Sequence, residues 1–587
     1  MTARSFPVGT AADPPVAPDQ LCLFDGLSPF FLDRQDGATN WSKIPFARLE
    51  RDGLLDPAKA DAVVQAFDRY IATMASLGYS AVAIDDLSHL VVHDFYPEPL
   101  RRKLRSYHDF YDRLFATIKA HDLKLLITTD YMFFHPSIEQ HLRDGRQTAA
   151  DLFRDTLRSA FAVFPQVDGI VLRIGESDGV DVEADFKSRL TIKRPTEARA
   201  LLQRLLPLFD GLGKTLVFRT WTLGAYPIGD LMWNRRTYDA VFRDIASPNL
   251  IVSLKYGDAD FFRYLEINPL FFHGPHRKIV ELQCRREYEG MGEYPSFVGW
   301  VYAEYLAALR RRQSNLVGIY AVQAGGWAPF AKLAYCANGS LWNELNTYVT
   351  VNLFTDDAPL AEIVAAFCRA KGIEDVDRFL QLLTLSDEAI EEGLYVREFA
   401  RQSLYFRRVR VPPLIWVFWH NVTAGGVVGR LYGHLVRDKA AAVAEGHRAV
   451  DTVRAMLRLA QELRLPDGDL RFQLDTFAIL AVLREVLFSL DTPETHARLE
   501  VLLTDYRRRY PHGYRFDYAP RSPDRFRLPA ALLFHLLIRH EMPYRRADHL
   551  LLNRHVTRLK ALAVRLQQSK LPRFVDKQGM SVDALLR

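Results

Sequence analysis

The sequence predicts an α/β fold, a (β/α)8 TIM barrel followed by an α-helical domain. Eight short apolar, β-branched runs alternate with helical segments over the first 340 or so residues, and polar side chains gather where the runs end. Alternation of this kind is typical of right-handed βαβ units, and eight in succession indicate a closed barrel. A doubly wound open sheet is the alternative, but no glycine-rich phosphate-binding motif follows the first run.

The eight predicted strands carry the pattern in chain order. They lie at 21–26, 80–86, 123–130, 169–176, 215–221, 250–258, 278–284 and 317–326. Between them, residues 61–78 and 196–213 have the apolar spacing of amphipathic helices, and the second segment ends in glycine, a usual helix stop.

The character of the chain changes after about residue 340. Segments such as "PLAEIVAAFCRAKG" and "LDTFAILAVLREVLFSL" have helical spacing, with few strand signals. We therefore divide the chain into an N-terminal extension (1–20), a catalytic barrel (21–345) and a helical domain (346–587).

Composition excludes several classes of protein. A net charge of +5 on a chain with 25% charged residues gives no footprint for nucleic acid. No stretch reaches the ~20 apolar residues of a membrane helix, and no signal peptide is visible. The 4 cysteines are scattered without a CxxC pair, which predicts neither a zinc site nor a disulfide framework. We expect a cytoplasmic protein that does not bind membranes.

Polar residues at the strand ends are the first functional signal, because barrel enzymes build their active sites on that face. These residues are Asp25, Asp85, Asp86, Asp130, Glu176, Arg219, Lys255 and Glu281. Any one of them could simply open a loop, where Asp is common. Eight together favour a site.

Three acidic residues suit hydrolysis of a glycosidic bond, which takes one protonated and one ionised carboxyl on opposite sides of the sugar. Glu176 follows the fourth strand, whereas Asp260 and Glu287 lie near the sixth and seventh. An acidic barrel rim that holds a divalent ion is the alternative interpretation.

Four segments resemble the family 67 glycoside hydrolases, the α-glucuronidases, in the same order and with similar spacing. They are "DGIVLRIGESDG" (168–179), "LVFRTW" (216–221), "KYGDADF" (255–261) and "ELQCRREYEG" (281–290). The family's β-rich domain ahead of the barrel has no counterpart in this sequence, since only 20 residues precede the first predicted strand.

The resemblance implies an inverting barrel hydrolase, usually intracellular, that needs no metal or other cofactor. Such enzymes remove α-1,2-linked (4-O-methyl)glucuronic acid from xylo-oligosaccharide ends, and they are often dimers through the helical domain. It makes Glu176 the general acid and gives Asp260 and Glu287 the activation of water. Arg219 and Lys255 would line the uronic-acid subsite, and Arg173 is the nearest basic residue where the family carries a lysine before the acid.

Other candidates keep two interpretations each. Glu281 would orient a partner or contact sugar, and Glu289 would face solvent or pair with an arginine. Asp85 and Asp86 would bind sugar hydroxyls or cap a loop, and Trp327 would stack on a sugar or pack in the core. The four-residue spacing of His89 and His93 can suit a metal, but without a third ligand we expect loop or capping residues.

The sequence therefore predicts a glycoside hydrolase of α-glucuronidase type acting on an oligosaccharide. Two alternatives stay open. One is a retaining glycosidase with Glu176 as acid/base and Glu287 or Glu281 as nucleophile. The other is a carbohydrate-binding barrel without catalysis.

Overall fold

Eight parallel strands close into a barrel, which confirms the predicted fold class. The structure is a computed structural model. It describes residues 20–32, 39–40, 43–175, 185–222, 226–284, 286, 288–290, 292–312, 314–322, 327–328, 341–356, 358–397, 400, 404–406, 409–411, 417–418, 421–424, 436–488 and 492–518.

The barrel strands follow the chain around the ring, and the first pairs with both the second and the eighth. They are β1 (Leu21–Asp25), β2 (Ala81–Asp85), β3 (Lys124–Asp130), β4 (Gly169–Arg173), β5 (Thr215–Arg219), β6 (Leu250–Lys255), β7 (Arg277–Gln283) and β8 (Leu316–Val322). All eight predicted runs thus form strands, although β4 ends at Arg173 and β6 ends at Lys255, earlier than predicted. Residues 323–326 of the eighth predicted run lie outside the described residues.

Helices cover the outside of the barrel. They are α1 (Phe46–Leu49), α2 (Pro57–Ser76), α3 (Glu98–Ala120), α4 (Pro136–Arg143), α5 (Ala149–Val163), α6 (Pro195–Leu212), α7 (Arg235–Phe242) and α8 (Gly299–Arg311). The connection from β6 to β7, residues 256–276, contains a 3₁₀ helix (Pro269–Phe272) instead of an α-helix.

Local sequence explains where these helices begin and end. Asp56 caps α2 by accepting a 2.9 Å hydrogen bond from the Ala58 amide, and Pro57 occupies the first helical position. The predicted stop at Gly213 is confirmed, since this glycine ends α6 in the left-handed conformation with φ of 63°.

A helical region follows the barrel. Its helices are α9 (Leu341–Thr355), α10 (Leu360–Lys371), α11 (Val376–Leu394), α12 (Lys439–Glu462), α13 (Gly468–Phe488) and α14 (Pro493–Arg509). The segments predicted as helical match α10 to α13. Small strands, which the sequence did not signal, accompany them at Leu404–Phe406, Val409–Val411, Val417–Phe418, Asn421–Ala424 and Arg515–Tyr518.

The barrel interior is apolar below and polar above. Its lower layers are filled by small and branched side chains such as Leu23, Ala83, Val171 and Val217, all buried. Side chains alternate between the two faces of a strand, so the residues two positions further along point into the barrel as well. Those residues are polar, and they place a charged ring at the C-terminal end. Among the described residues, no helix is long and apolar enough to cross a membrane.

Candidate active site

The C-terminal end of the barrel, here called the mouth, carries one inward-facing side chain from each strand. In strand order they are Asp25, Asp85, Asp130, Arg173, Arg219, Lys255, Glu281 and Tyr320. All eight are at least nine-tenths buried. Charged side chains are buried at this density only where they pair or do chemistry, so the mouth is the candidate active site.

Arg219 and Glu281 form the best-defined pair of the mouth. The guanidinium Nε and Nη2 donate to the two carboxylate oxygens at 2.9 and 2.8 Å. The Ser253 hydroxyl adds a third hydrogen bond at 2.7 Å. Burial raises the pKa of Glu281, but Arg219 and the other donors outweigh it and hold the pKa below its usual range. Glu281 is therefore a fixed negative charge that orients Arg219.

Lys255 pairs with Asp260 on the loop that follows β6. The Asp260 carboxylate also accepts from the Phe261 amide at 2.9 Å and from the Tyr288 hydroxyl at 2.6 Å. The Lys255 ammonium lies 3.8 Å from the centroid of the Trp221 ring, a cation–π contact. Three hydrogen-bond donors, the Lys255 ammonium, the Phe261 amide and the Tyr288 hydroxyl, thus stabilise the negative charge of the Asp260 carboxylate. Asp260 is one of the residues that the sequence predicts to activate water.

Arg173 stands between two aspartates on the opposite side of the mouth. Its Nε lies 3.0 Å from Asp130 Oδ1, and its Nη2 lies 3.5 Å from Asp85 Oδ1. Lys43, from the segment after β1, adds a second cation 2.7 Å from Asp130 Oδ2. Burial raises the pKa of Asp130, but the two cations outweigh it and lower the pKa overall.

The pKa of the Asp85 carboxyl is raised, whereas that of Asp130 is lowered. Burial raises the pKa of the Asp85 carboxyl from an ordinary 3.8 to about 7, since Arg173 lowers it only in part while Asp86 and Asp130 add repulsion. Within the described part of the chain, no hydrogen bond reaches its Oδ1 atom. Asp85 is therefore a carboxyl that can carry a proton near neutral pH.

Asp86 follows the last residue of β2 and binds residues of the short segment after the strand. Its carboxylate accepts from the Ser88 hydroxyl at 2.8 Å and lies 2.8 Å from His89 Nδ1. The His89 ring is buried against Phe46, with ring centroids 3.6 Å apart. The structure thus gives Asp86 partners in its own segment.

His93 lies apart from His89 and contacts the Thr156 hydroxyl through Nε2 at 3.0 Å. Among the described residues, no group of three His, Cys, Asp or Glu side chains is placed to hold a metal ion.

Three of the predicted site residues lie wholly or partly outside the residues that the structure describes. Glu176 and Glu287 lie outside the described residues. Trp327 lies in a two-residue strand that pairs with Thr39–Asn40, but its side chain is outside the description. The residues on both sides of Glu287 are described, and Tyr288 contacts Asp260 directly.

Glu289 has a defined partner that the sequence left open. It is 2% exposed, and Arg263 binds its two oxygens at 2.7 and 2.9 Å. Burial raises its pKa, but Arg263, Arg286 and the hydrogen bonds outweigh it and bring the pKa to about 2. Of the two expectations, pairing with an arginine is confirmed and exposure to solvent is wrong.

Several residues of the site were missing from the sequence-based candidates. Ser253 and Tyr320 share the period of two with Ile251 and Gly318, so alternation alone could have found them. Lys43 and Tyr288 lie on loops, where no periodicity marks them.

Comparison with known proteins gives little beyond the barrel. No family model matches the sequence, and no curated protein matches it. The chain is similar to the solved structure of a GH138 enzyme targeting pectin rhamnogalacturonan II, with 10% identity and a TM-score of 0.47. That match covers 85% of this chain and 60% of the enzyme, so the chain spans less than two thirds of its length.

Two further solved structures are also similar to the chain at low sequence identity and with TM-scores below 0.5. An O-GlcNAc hydrolase from Thermobaculum terrenum has 11% identity and a TM-score of 0.38, over 76% of this chain and 86% of its own. A D-allulose 3-epimerase from Methylomonas sp. has 12% identity and a TM-score of 0.32, over 57% and 98%. Similar structures thus include hydrolases and an epimerase. At these TM-scores the likeness carries no weight for activity, and function has to be inferred from the mouth.

Proposed function

We propose that the chain is a glycoside hydrolase that removes an α-linked uronic acid from an oligosaccharide by single displacement. The observation that carries the proposal is the contact between the loops after β6 and β7. The Tyr288 hydroxyl donates to Asp260 Oδ2 at 2.6 Å, so the neighbour of Glu287 touches the carboxylate with which Glu287 would share a water. Two acids on adjacent loops can hold a water between them.

The roles follow from the chemistry of inversion. Asp260 and Glu287 would take a proton from the attacking water, and Glu176 would give a proton to the leaving oxygen from the other side of the sugar. Lys255 and Tyr288 keep the Asp260 carboxylate in one orientation. Water activation needs this because a proton acceptor works only within hydrogen-bond reach of the proton.

Arg219 and Lys255 support the uronate part of the proposal. They stand on the neighbouring strands β5 and β6 and both face into the mouth, where an arginine can bind a carboxylate in bidentate fashion. Each already has a carboxylate partner, Glu281 and Asp260, so a substrate carboxylate would share these cations. We therefore expect discrimination between a uronide and the matching neutral glycoside, with little general attraction of anions.

A panel of aryl α-glycosides and uronic-acid-decorated oligosaccharides tests the proposal. We expect hydrolysis of the α-glucuronide and at least a tenfold lower kcat/KM for the matching α-glucoside, because about 1.4 kcal/mol of binding lost with the carboxylate is a factor of ten. Glu176→Gln and Glu287→Gln should each abolish turnover in a folded chain. Near wild-type turnover in both variants would refute the assignment.

The same panel separates the alternatives. A retaining glycosidase would use Glu176 and Glu287, or Glu281, with a covalent intermediate that accumulates with activated substrates. As the nucleophile, Glu281 would have to exchange the hydrogen bonds that Arg219 and Ser253 donate to its oxygens. A carbohydrate-binding barrel would bind the sugars without cleaving any of them.

A further inference from the structure

Two loops at the mouth are joined to each other by buried contacts. We call them the β6 loop (256–268) and the β7 loop (284–298). Besides the hydrogen bond from Tyr288 to Asp260, the rings of Phe262 and Tyr288 stack with centroids 4.0 Å apart. Next to this stack, Arg263 and Glu289 form the bidentate ion pair. The described residues of the β6 loop and the β7 loop therefore form one connected unit.

The helical region binds this unit at charged and polar groups. Asp387, on α11, accepts a 2.6 Å hydrogen bond from Arg263 Nη1. The Tyr395 hydroxyl, just after the same helix, donates to Glu289 Oε1 at 3.0 Å. Asp387 and Tyr395 are both buried, so these bonds form away from water, where their loss is costly.

Aromatic packing fixes the far side of the β7 loop. Tyr294 lies against Phe477 of α13, with ring centroids 5.2 Å apart, and the Tyr514 hydroxyl donates to the Gly290 carbonyl at 2.6 Å. Gly290 has a φ of 87°, and a Cβ there would lie 2.3 Å from the Tyr294 ring. The path of the β7 loop is thus shaped to fit the helical region.

We infer that the helical region positions Asp260, the carboxylate proposed to activate water, with Asp387 and Tyr395 as positioning residues that act through Arg263 and Glu289. The inference rests on the proposed function and gives the helical region a role in it. The effect of Asp387 and Tyr395 passes through the Arg263–Glu289 pair to Tyr288, which precedes Glu289 in the chain, and from Tyr288 to Asp260.

This arrangement predicts a specific kinetic signature. Without Asp387 or Tyr395, the joined loops lose one anchor, and Asp260 shifts relative to the bound sugar. A misplacement on the order of 1 Å can cost about 10²-fold in rate. The groups that bind the sugar on β5 and β7, Arg219 and Glu281, keep their own pairing. We therefore expect kcat to fall while KM changes little.

The test compares Asp387→Asn and Tyr395→Phe with Glu485→Gln as a matched control. Glu485 is as buried as Asp387, at 4% exposed for each. Its partners Arg498 and His447 both belong to the helical region, at 2.9 Å each. Glu485→Gln therefore removes a buried charge from the helical region without touching a barrel loop.

We expect kcat to fall about 10- to 100-fold in Asp387→Asn, with KM within about twofold, and less in Tyr395→Phe. Glu485→Gln should keep the kcat of the wild type even if its thermal midpoint falls as far as that of Asp387→Asn. Equal loss of kcat in Asp387→Asn and Glu485→Gln at equal loss of stability would overturn the inference, because general loosening would then explain both.

Hydrogen exchange gives a second readout that needs no substrate. In Asp387→Asn the amides of the β7 loop should exchange faster than in the wild type, and in Glu485→Gln they should not. If exchange behaves this way while no sugar is cleaved, the helical region still fixes the loops and the hydrolase proposal fails. If sugar is cleaved but exchange in the β7 loop is unchanged in Asp387→Asn, the inference fails and the proposed function stands.

Discussion

The two halves of the mouth differ in how their charges are matched. On the side of β5 to β8, each cation has its own carboxylate, since Arg219 binds Glu281 and Lys255 binds Asp260. On the side of β1 to β4, Arg173 is shared between two acids, Asp130 and Asp85. We call these the matched half and the shared half.

Glu281 and Asp85 show what the difference does. Both carboxyls are 1% exposed, yet the pKa of Glu281 lies below its usual range and the pKa of Asp85 is raised to about 7. Burial is the largest cause in both and acts in the same direction. The charged partners decide the direction of the pKa shift. Arg219 binds both oxygens of Glu281, whereas Asp85 shares Arg173 with Asp130. One half of the mouth therefore holds fixed charges, and the other can gain or lose a proton near neutral pH.

The largest expected effect is on Asp260 in the matched half. Asp260→Asn removes the carboxylate that we propose accepts the proton of the attacking water, so we expect kcat on an α-glucuronide to fall by about 10²- to 10⁴-fold. Asp168→Asn is the control, since Asp168 binds Lys119 at the opposite end of the barrel. If Asp260→Asn were no worse than Asp168→Asn, Asp260 would have no part in the chemistry.

A second prediction concerns the loss of one charge from the Arg219–Glu281 pair of the matched half. Glu281→Gln leaves the buried Arg219 without its counter-charge, which should lower the free energy of unfolding by about 3–5 kcal/mol. The double variant Arg219→Met, Glu281→Met removes both charges and should be less destabilised than the single variant. Chemical denaturation measures both, and a double variant that is the less stable of the two would contradict this account.

A third prediction concerns the shared half and pH. Between about pH 4 and pH 7 the folded chain keeps a proton on Asp85 that the unfolded chain has released. Stability therefore falls as pH rises through this window, by a few kcal/mol at most. Asp85→Asn cannot ionise, so it should gain stability relative to the wild type between pH 5 and pH 8.

The gain in stability is checked by measuring the denaturation midpoints of the wild type and of Asp85→Asn at about pH 5 and about pH 8. If Asp85→Asn showed the same pH dependence as the wild type, the proton would have to sit elsewhere and the contrast between the two halves would be lost.

The smallest expected effect is that of replacing Lys43, which tests how far a second cation lowers the pKa of Asp85 in the shared half. Lys43 is one of two cations that lower the pKa of Asp85, and it is the weaker of the two. Lys43→Met should therefore move the midpoint of the Asp85 transition upward by less than about one pH unit. The shift is read from the same denaturation series, and a downward shift would mean that Lys43 does not act on Asp85.

Much of this site could be predicted from the sequence because the barrel has regular periods. Alternation along β2 and β5 places Asp85 and Arg219 on the inside with no knowledge of the partners. The pairing of Arg219 with Glu281 could not be predicted, since 62 residues separate them and only the packed barrel brings β5 and β7 together. In the same way, the partner of Glu289 on the β6 loop follows from loop packing, which leaves no periodic trace.

The stereochemistry of the released sugar tests the central claim most directly. The wild-type protein would be given an oligosaccharide bearing an α-linked glucuronic acid, and the anomeric proton of the product followed by NMR from the first turnover. A single displacement by a water held at Asp260 and Glu287 predicts that the β-anomer appears first and then mutarotates. First appearance of the α-anomer, or no release of glucuronic acid at all, would contradict it.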